Sequence, residues 1–192
     1  MRLILPSKLG SHLSHSSGIV RRYFVVNGFD GALAMLGLLT GFYLGPAVEL
    51  GVVIGACLGT TVALGMSGVT SAYLSESAER QLSLSQLEQA MLTDLADSEH
   101  ADAARLVPWV IALVNGAAPV AMALLIMLPL WLAMLGFPLP LSPIMSAIAT
   151  AFLCIFGLGV FLSGVGGTHW LISGAKSLII AVVTVLIILL VK

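Results

Sequence analysis

Apolar residues form five long, almost uncharged runs along the chain, and short polar or charged stretches separate them. A helix needs roughly 20 predominantly apolar residues to cross the hydrocarbon core of a bilayer, and each run is long enough. Because lipid leaves backbone polar groups without partners, such runs predict transmembrane helices. The predicted spans are Tyr23 to Gly45, Leu50 to Leu74, Val107 to Leu135, Ser142 to Gly164 and Trp170 to Val191.

The composition agrees with a membrane protein. Of 192 residues, 59% are hydrophobic and only 9% are charged, with a mean hydropathy of +1.09, which lies far outside the range of soluble domains. Cys57 and Cys154 both lie inside apolar runs, so they are predicted to be small packing residues rather than a disulfide. The predicted fold class is an all-α membrane protein with five transmembrane helices.

The acidic residues are concentrated between the second and third runs. Residues 76–105 hold seven of the nine acids and two arginines, so this segment carries a net charge of −5. Apolar residues at helical spacing, and Ser85 three residues before Glu88 in a capping-box pattern, predict a short amphipathic helix here. The predicted organisation is a tail (1–22), spans one and two (23–74), an acidic cytoplasmic segment (75–106) and spans three to five (107–192).

Basic residues predict the orientation. Arg21 and Arg22 adjoin the first span, whereas the loops at 45–49 and 136–141 contain no Lys or Arg, which places the N-terminus in the cytoplasm. Five spans then place Lys192 outside. The N-terminus does not resemble a secretory signal, so the first span is expected to direct insertion. The membrane would be the plasma membrane of a prokaryote or a vacuolar-type membrane of a eukaryote.

Small residues recur along one face of each of the first two spans. Such stripes let two helix backbones approach closely, so these spans are predicted to face each other or a symmetry mate. The first stripe comprises Asp30, Ala34, Gly37, Gly41 and Gly45, and the second comprises Gly51, Gly55, Gly59, Ala63, Met66 and Thr70.

Asp30 is the residue that helix packing does not explain. A carboxylate inside a span costs about 3 kcal/mol on insertion scales, so it persists mainly beside a partner, water or a substrate. Asp30 lies roughly 10 Å, and Met66 roughly 12 Å, along their helices from the cytoplasmic ends of their spans. A carboxylate with a thioether suits a divalent transition metal better than calcium or magnesium. One chain offers few ligands, whereas a two-fold dimer offers two of each.

Other residues in the spans have simpler interpretations. An isolated methionine usually fills a packing gap, which is the alternative for Met66 and the prediction for Met35. Asn115 is predicted to form an interhelical hydrogen bond, with a pore-lining role as the alternative. The third span is predicted to be kinked at its three prolines. No histidine lies mid-span to activate a serine, so the chain is not predicted to be an enzyme.

The acidic segment offers a second set of candidate metal ligands. Glu76 and Glu79 lie one helical turn apart, Met91 and Asp94 repeat that spacing, and Glu88 lies between the pairs. The alternative is a solvated face in which Glu76 and Arg80 form an ordinary ion pair. The four histidines receive no assignment: His12, His15, His100 and His169.

Two stretches together resemble the vacuolar iron transporter family, which includes nodulin-like and yeast vacuolar iron and manganese carriers. They are "RRYFVVNGFDGALAMLGLLTGF" and "GACLGTTVALGMSGVTSAYLSESAER". The resemblance implies a five-span homodimer that moves Fe²⁺ or Mn²⁺ out of the cytosol in exchange for protons. It assigns the family's pore aspartate to Asp30 in "NGFDG" and its pore methionine to Met66.

The resemblance is weaker in the acidic segment. Glu76 and Glu79 match the family's first Glu-x-x-Glu, a second such pair is absent, and Met91 and Asp94 match a further metal motif loosely. The metal is expected as substrate rather than as a prosthetic group, and no nucleic acid is expected as a partner. The alternative function is a non-transporting membrane scaffold whose acidic segment recruits a soluble protein.

Overall fold

The computed structural model describes residues 9–96, 98–166 and 169–191. These residues form five α-helices and no β-strand, which confirms the predicted fold class. The helices are α1 (Leu9–Leu44), α2 (Leu50–Met91), α3 (Glu99–Met134), α4 (Pro143–Gly166) and α5 (Trp170–Val191). Residues 9–22, predicted as part of the tail, belong to α1.

Each of the five helices is long and apolar enough to cross a membrane, so the chain is a multi-pass membrane protein. The spans assigned to α1, α4 and α5 are Arg21–Leu44, Pro143–Gly164 and Trp170–Val191, which agree with the predicted spans to within two residues. The length of the uncharged runs therefore places these three membrane spans correctly.

Helices α2 and α3 are much longer than a membrane is thick. The 42 residues of α2 extend about 63 Å, and a hydrocarbon core spans about 30 Å. Beyond Leu74, α2 continues to Met91, and α3 begins at Glu99, so residues 75–106 form an acidic helical hairpin. The separate short helix predicted here is instead the continuation of α2, because no glycine or proline interrupts residues 75–91.

The hairpin turn has its own local stabilisation. Leu92 adopts the left-handed conformation, with φ of 50°, and its N–H donates to the Glu88 carbonyl. Ser98 then caps α3 by accepting a hydrogen bond from the Ala101 N–H at 3.3 Å. Ser85, the predicted cap, lies inside α2.

Helix α3 occupies the centre of the fold and packs against α1, α2 and α4. It remains one helix through Pro108, Pro119 and Pro129. The main hydrophobic core draws residues from all five helices, and both Met35 and Cys57 are fully buried in it, as predicted. Cys154 packs against the same core.

Candidate functional site

Asp30 lies on the side of α1 that faces away from the core. The buried residues of this helix include Val25, Ala32 and Met35, whereas the Asp30 side chain is exposed. Among the residues that the structure describes, no hydrogen bond or ion pair engages Asp30. The chain therefore presents a carboxylate on an open helix face inside a membrane span.

The opposite side of α1 approaches its neighbours closely at this level. A Cβ placed on Gly31 would lie 2.6 Å from the Pro119 Cα and 2.7 Å from the Pro119 carbonyl oxygen. A Cβ on Gly28 would lie 3.2 Å from Leu158. Tight packing against α3 and α4 thus fixes the rotation of α1 and keeps Asp30 on the open side.

Met66 has a similar environment on α2. Its side chain is 61% exposed, whereas its neighbours Gly65 and Gly68 are buried against α3. A Cβ on Gly65 would lie 2.7 Å from Val120, and a Cβ on Gly68 would lie 3.0 Å from the Asn115 carbonyl oxygen. The close contact between α2 and α3 therefore leaves the sulfur of Met66 on the outer face.

Contacts with α3 place Asp30 and Met66 at similar depth. Gly31, next to Asp30, approaches Pro119, and Gly65, next to Met66, approaches Val120. Pro119 and Val120 are consecutive residues of α3, so the two candidate ligands lie beside one level of that helix. This geometry agrees with the depth match that their distances along the chain predict.

The two small-residue stripes do not pack against each other within one chain. Helices α1 and α2 contact each other far less than either contacts α3. A Cβ on Gly41, Gly55 or Gly59 would meet no atom within 4 Å, and one on Gly51 would reach only the Glu49 side chain, at 4.0 Å. A Cβ on Gly37 would make an ordinary van der Waals contact with the Ile188 side chain at 3.7 Å. The two stripes are therefore not each other's partners within one chain, and packing against a symmetry mate stays a prediction.

Helix α2 also has a second line of small residues, which the sequence analysis did not identify. It has the same helical spacing as the exposed stripe but lies on the buried side of the helix, where it contacts α3. The helical spacing could have revealed this line. It comprises Cys57, Thr61, Gly65, Gly68 and Ala72, and the buried Glu76 lies one turn beyond Ala72.

Polar side chains connect α1, α2 and α3 near this level. Asn115 donates from Nδ2 to the Gly68 carbonyl at 2.8 Å and accepts from Asn27. Asn27 also donates to the Tyr23 carbonyl at 2.9 Å. Asn115 is thus an interhelical hydrogen-bonding residue, as predicted.

Replacing Asn115 with Ala should lower the free energy of unfolding by about 1 kcal/mol, because interhelical hydrogen bonds in membranes average somewhat below that value. Unfolding in mixed detergent micelles measures the change. The control is Thr184→Val, since half-buried Thr184 hydrogen-bonds only within its own helix. Equal stability of the Asn115→Ala variant and the parent protein would contradict the expectation.

The candidate ligands of the acidic hairpin do not form one cluster. Glu88 accepts a hydrogen bond from the Leu95 N–H at 3.1 Å, and Asp94 accepts one from the Ala96 N–H at 2.9 Å. Glu79 and Met91 are exposed. Over the described residues, no three His, Cys, Asp or Glu side chains are arranged to hold a metal ion. Within one chain, Glu88 and Asp94 thus make local hydrogen bonds, and metal binding by the hairpin stays a prediction.

Glu76 differs from the other acidic residues because it is buried, with 9% exposure. Its Oε1 accepts a hydrogen bond from the Tyr23 hydroxyl at 3.3 Å, and its Oε2 lies 3.8 Å from the Arg80 Nε. The ion pair with Arg80 is the predicted alternative to metal binding. The contact with Tyr23 was not predicted, since no sequence pattern relates residues 53 positions apart.

Among the residues whose side chains the structure describes, neither His100 nor His169 belongs to a group of three candidate metal ligands. His169 lies near the start of α5, with its ring centroid 6.3 Å from that of Trp170. The side chains of His12, His15 and Glu99 lie outside the described part of the structure, as does Asp97.

Comparison with known proteins gives no match: no family model, curated protein or solved structure matches this chain. The resemblance to vacuolar iron transporters accordingly remains a prediction from the quoted motifs.

Proposed function

We propose that this protein is a homodimeric transporter that moves Fe²⁺ or Mn²⁺ out of the cytosol in exchange for protons. The observation that carries the proposal is the exposed carboxylate of Asp30, which has no partner among the described residues of its own chain. A charge at such a position is costly unless something else binds it. A visiting cation at an interface between two copies satisfies that requirement.

A second copy completes the ligand set. Two-fold symmetry supplies two carboxylates and two thioethers if the open faces of α1 and α2 lie near the symmetry axis. The exposed glycines Gly41, Gly55 and Gly59 allow close helix approach there, since a Cβ at each meets nothing within 4 Å in one chain. Oxygen and sulfur ligands together favour a transition metal over calcium or magnesium.

Asp30 also binds the proton that is exchanged for the metal ion. A carboxylate binds either a cation or a proton, and each ligand lowers the affinity for the other by the same factor. Metal loading from the cytosol therefore releases a proton, and protonation on the far side releases the metal. With the N-terminus in the cytosol, the acidic hairpin faces the side from which metal is loaded and concentrates cations there.

Mn²⁺ uptake by proteoliposomes tests the function. When the hairpin faces the external buffer and the lumen is acidic, vesicles containing the protein should accumulate Mn²⁺ at least about tenfold over empty vesicles. A proton ionophore should abolish the accumulation. Uptake no greater than that of empty vesicles, at confirmed protein content and orientation, would refute the proposed function.

A membrane scaffold is the second candidate, and the hairpin supplies the observation that favours it. Leu82, Met91 and Leu92 are 61%, 56% and 93% exposed, although they are apolar and lie in the acidic hairpin. A soluble protein that covers them would bury this apolar surface. A stably co-purifying partner, together with no Mn²⁺ uptake, would favour the scaffold over the transporter.

A further inference from the structure

Glu76 joins two helices that otherwise contact each other little. Its two carboxylate oxygens have different partners: Tyr23 of α1 lies at one, and Arg80, one turn further along α2, lies at the other. Because α1 and α2 pack mainly against α3, this hydrogen bond is a direct link between them. We call these three residues the Tyr23–Glu76–Arg80 cluster.

The cluster connects to the level of the candidate metal ligands. The Tyr23 carbonyl accepts from Asn27, Asn27 donates to Asn115, and Asn115 donates to the Gly68 carbonyl. Asn27 lies three residues before Asp30, and Gly68 lies two residues after Met66. The hydrogen bonds thus run from the base of the acidic hairpin to the depth of both ligands.

From this geometry we infer that Glu76 is a positioning residue: through Tyr23 it holds the hairpin end of α1 against α2 and so sets the placement of Asp30. Both oxygens of Glu76 already face partners within the chain, Tyr23 and Arg80, which favours a positioning role over metal binding. Its effect on transport rests on the proposed function. Its effect on helix placement does not.

Glu79 provides a matched control on the same helix. It lies less than one turn from Glu76, carries the same charge, and is exposed rather than buried. If Glu76 and Glu79 were a pair of metal ligands, Glu76→Gln and Glu79→Gln should weaken metal binding to a similar extent. If Glu76 positions α1, Glu76→Gln should be tolerated, since the amide oxygen still accepts from the Tyr23 hydroxyl.

The first test measures helix placement without any metal. Spin labels at Arg21 and Ser75, both exposed, report the distance between α1 and α2 by pulsed electron paramagnetic resonance. The native cysteines are replaced by alanine, and labelled protein is diluted with unlabelled protein so that distances within one chain dominate. Tyr23→Phe and Glu76→Ala should each broaden or shift the distance distribution, whereas Glu76→Gln and Glu79→Gln should leave it unchanged.

The second test measures Mn²⁺ transport and binding with the same variants. Tyr23→Phe and Glu76→Ala should lower the maximal transport rate about tenfold, because misplaced reacting groups cost rate. The maximal transport rate of Glu76→Gln should instead lie within about twofold of the parent's, with KM unchanged. Tyr23→Phe keeps the ring and removes only the hydroxyl, so its phenotype does not depend on a large packing defect.

The outcomes separate this inference from the proposed function. Unchanged distances in both Tyr23→Phe and Glu76→Ala would overturn the positioning role, whether or not the protein transports metal. Equal loss of Mn²⁺ affinity in Glu76→Gln and Glu79→Gln would overturn it as well, because it would make Glu76 a ligand. Shifted distances in a protein that transports no metal would support the positioning role and refute the transporter.

Discussion

Asp30→Asn should reduce Mn²⁺ or Fe²⁺ transport about a hundredfold, a loss equivalent to about 3 kcal/mol. The substitution keeps the size of the side chain and removes its charge, and in a dimer it removes two charges from one site. Truncating one partner of a buried charge pair costs 2–5 kcal/mol or more, which sets the scale of this expectation. The amide also cannot exchange a proton for a cation, so proton-driven accumulation should disappear with it.

Two further variants show whether this loss is specific to Asp30. Glu49→Gln removes an exposed carboxylate just before α2 and should leave transport unchanged. Met66→Leu keeps an apolar side chain of similar volume but removes the sulfur, and should reduce transport about tenfold. Initial rates in proteoliposomes of matched protein content measure all three. An Asp30→Asn variant as active as the parent would refute the exchange mechanism.

Gly31→Ala should destabilise the fold by about 2 kcal/mol, within the range for overpacked sites. The added methyl would lie 2.6 Å from the Pro119 Cα, and a backbone atom cannot move aside as a flexible side chain can. Helix α1 would have to move away from α3, which would also displace Asp30. The glycine that follows the aspartate in "NGFDG" therefore has a packing reason to be there.

Gly157→Ala is the control for this effect, since a Cβ there meets nothing within 4 Å. In an open helical position, alanine should stabilise the helix by about 0.5–1 kcal/mol. Unfolding in mixed detergent micelles compares the two variants with the parent. If Gly31→Ala proved as stable as Gly157→Ala, the close approach of α1 to α3 would be refuted.

The sequence predicted the membrane architecture well because one physical requirement dominates it. A segment that crosses lipid must be apolar over about 20 residues, and this signal places the spans of α1, α4 and α5 to within two residues. It gives no information about where a helix ends in water. The pattern at Ser85 and Glu88 therefore predicted a helix start inside a helix that runs on to Met91.

The candidate site was only partly predictable, for a different reason. Helical spacing identifies lines of small residues, but α2 has such lines on two faces, and spacing does not show which one packs against α3. In the structure, Gly65 and Gly68 pack against α3, whereas Gly55, Gly59 and Met66 are exposed. The contact between Tyr23 and Glu76 depends on how three helices pack together, which local patterns do not encode.

The proposed transporter requires two copies of the chain to bring Asp30 and Met66 together at one metal site. The most direct test of this claim is a structure of the membrane-embedded protein soaked with Mn²⁺, in which anomalous scattering locates the metal. We expect a metal peak between two subunits, within bonding distance of the carboxylate of Asp30 and close to the sulfur of Met66. A structure in which both side chains face lipid, with no metal beside them, would contradict the claim.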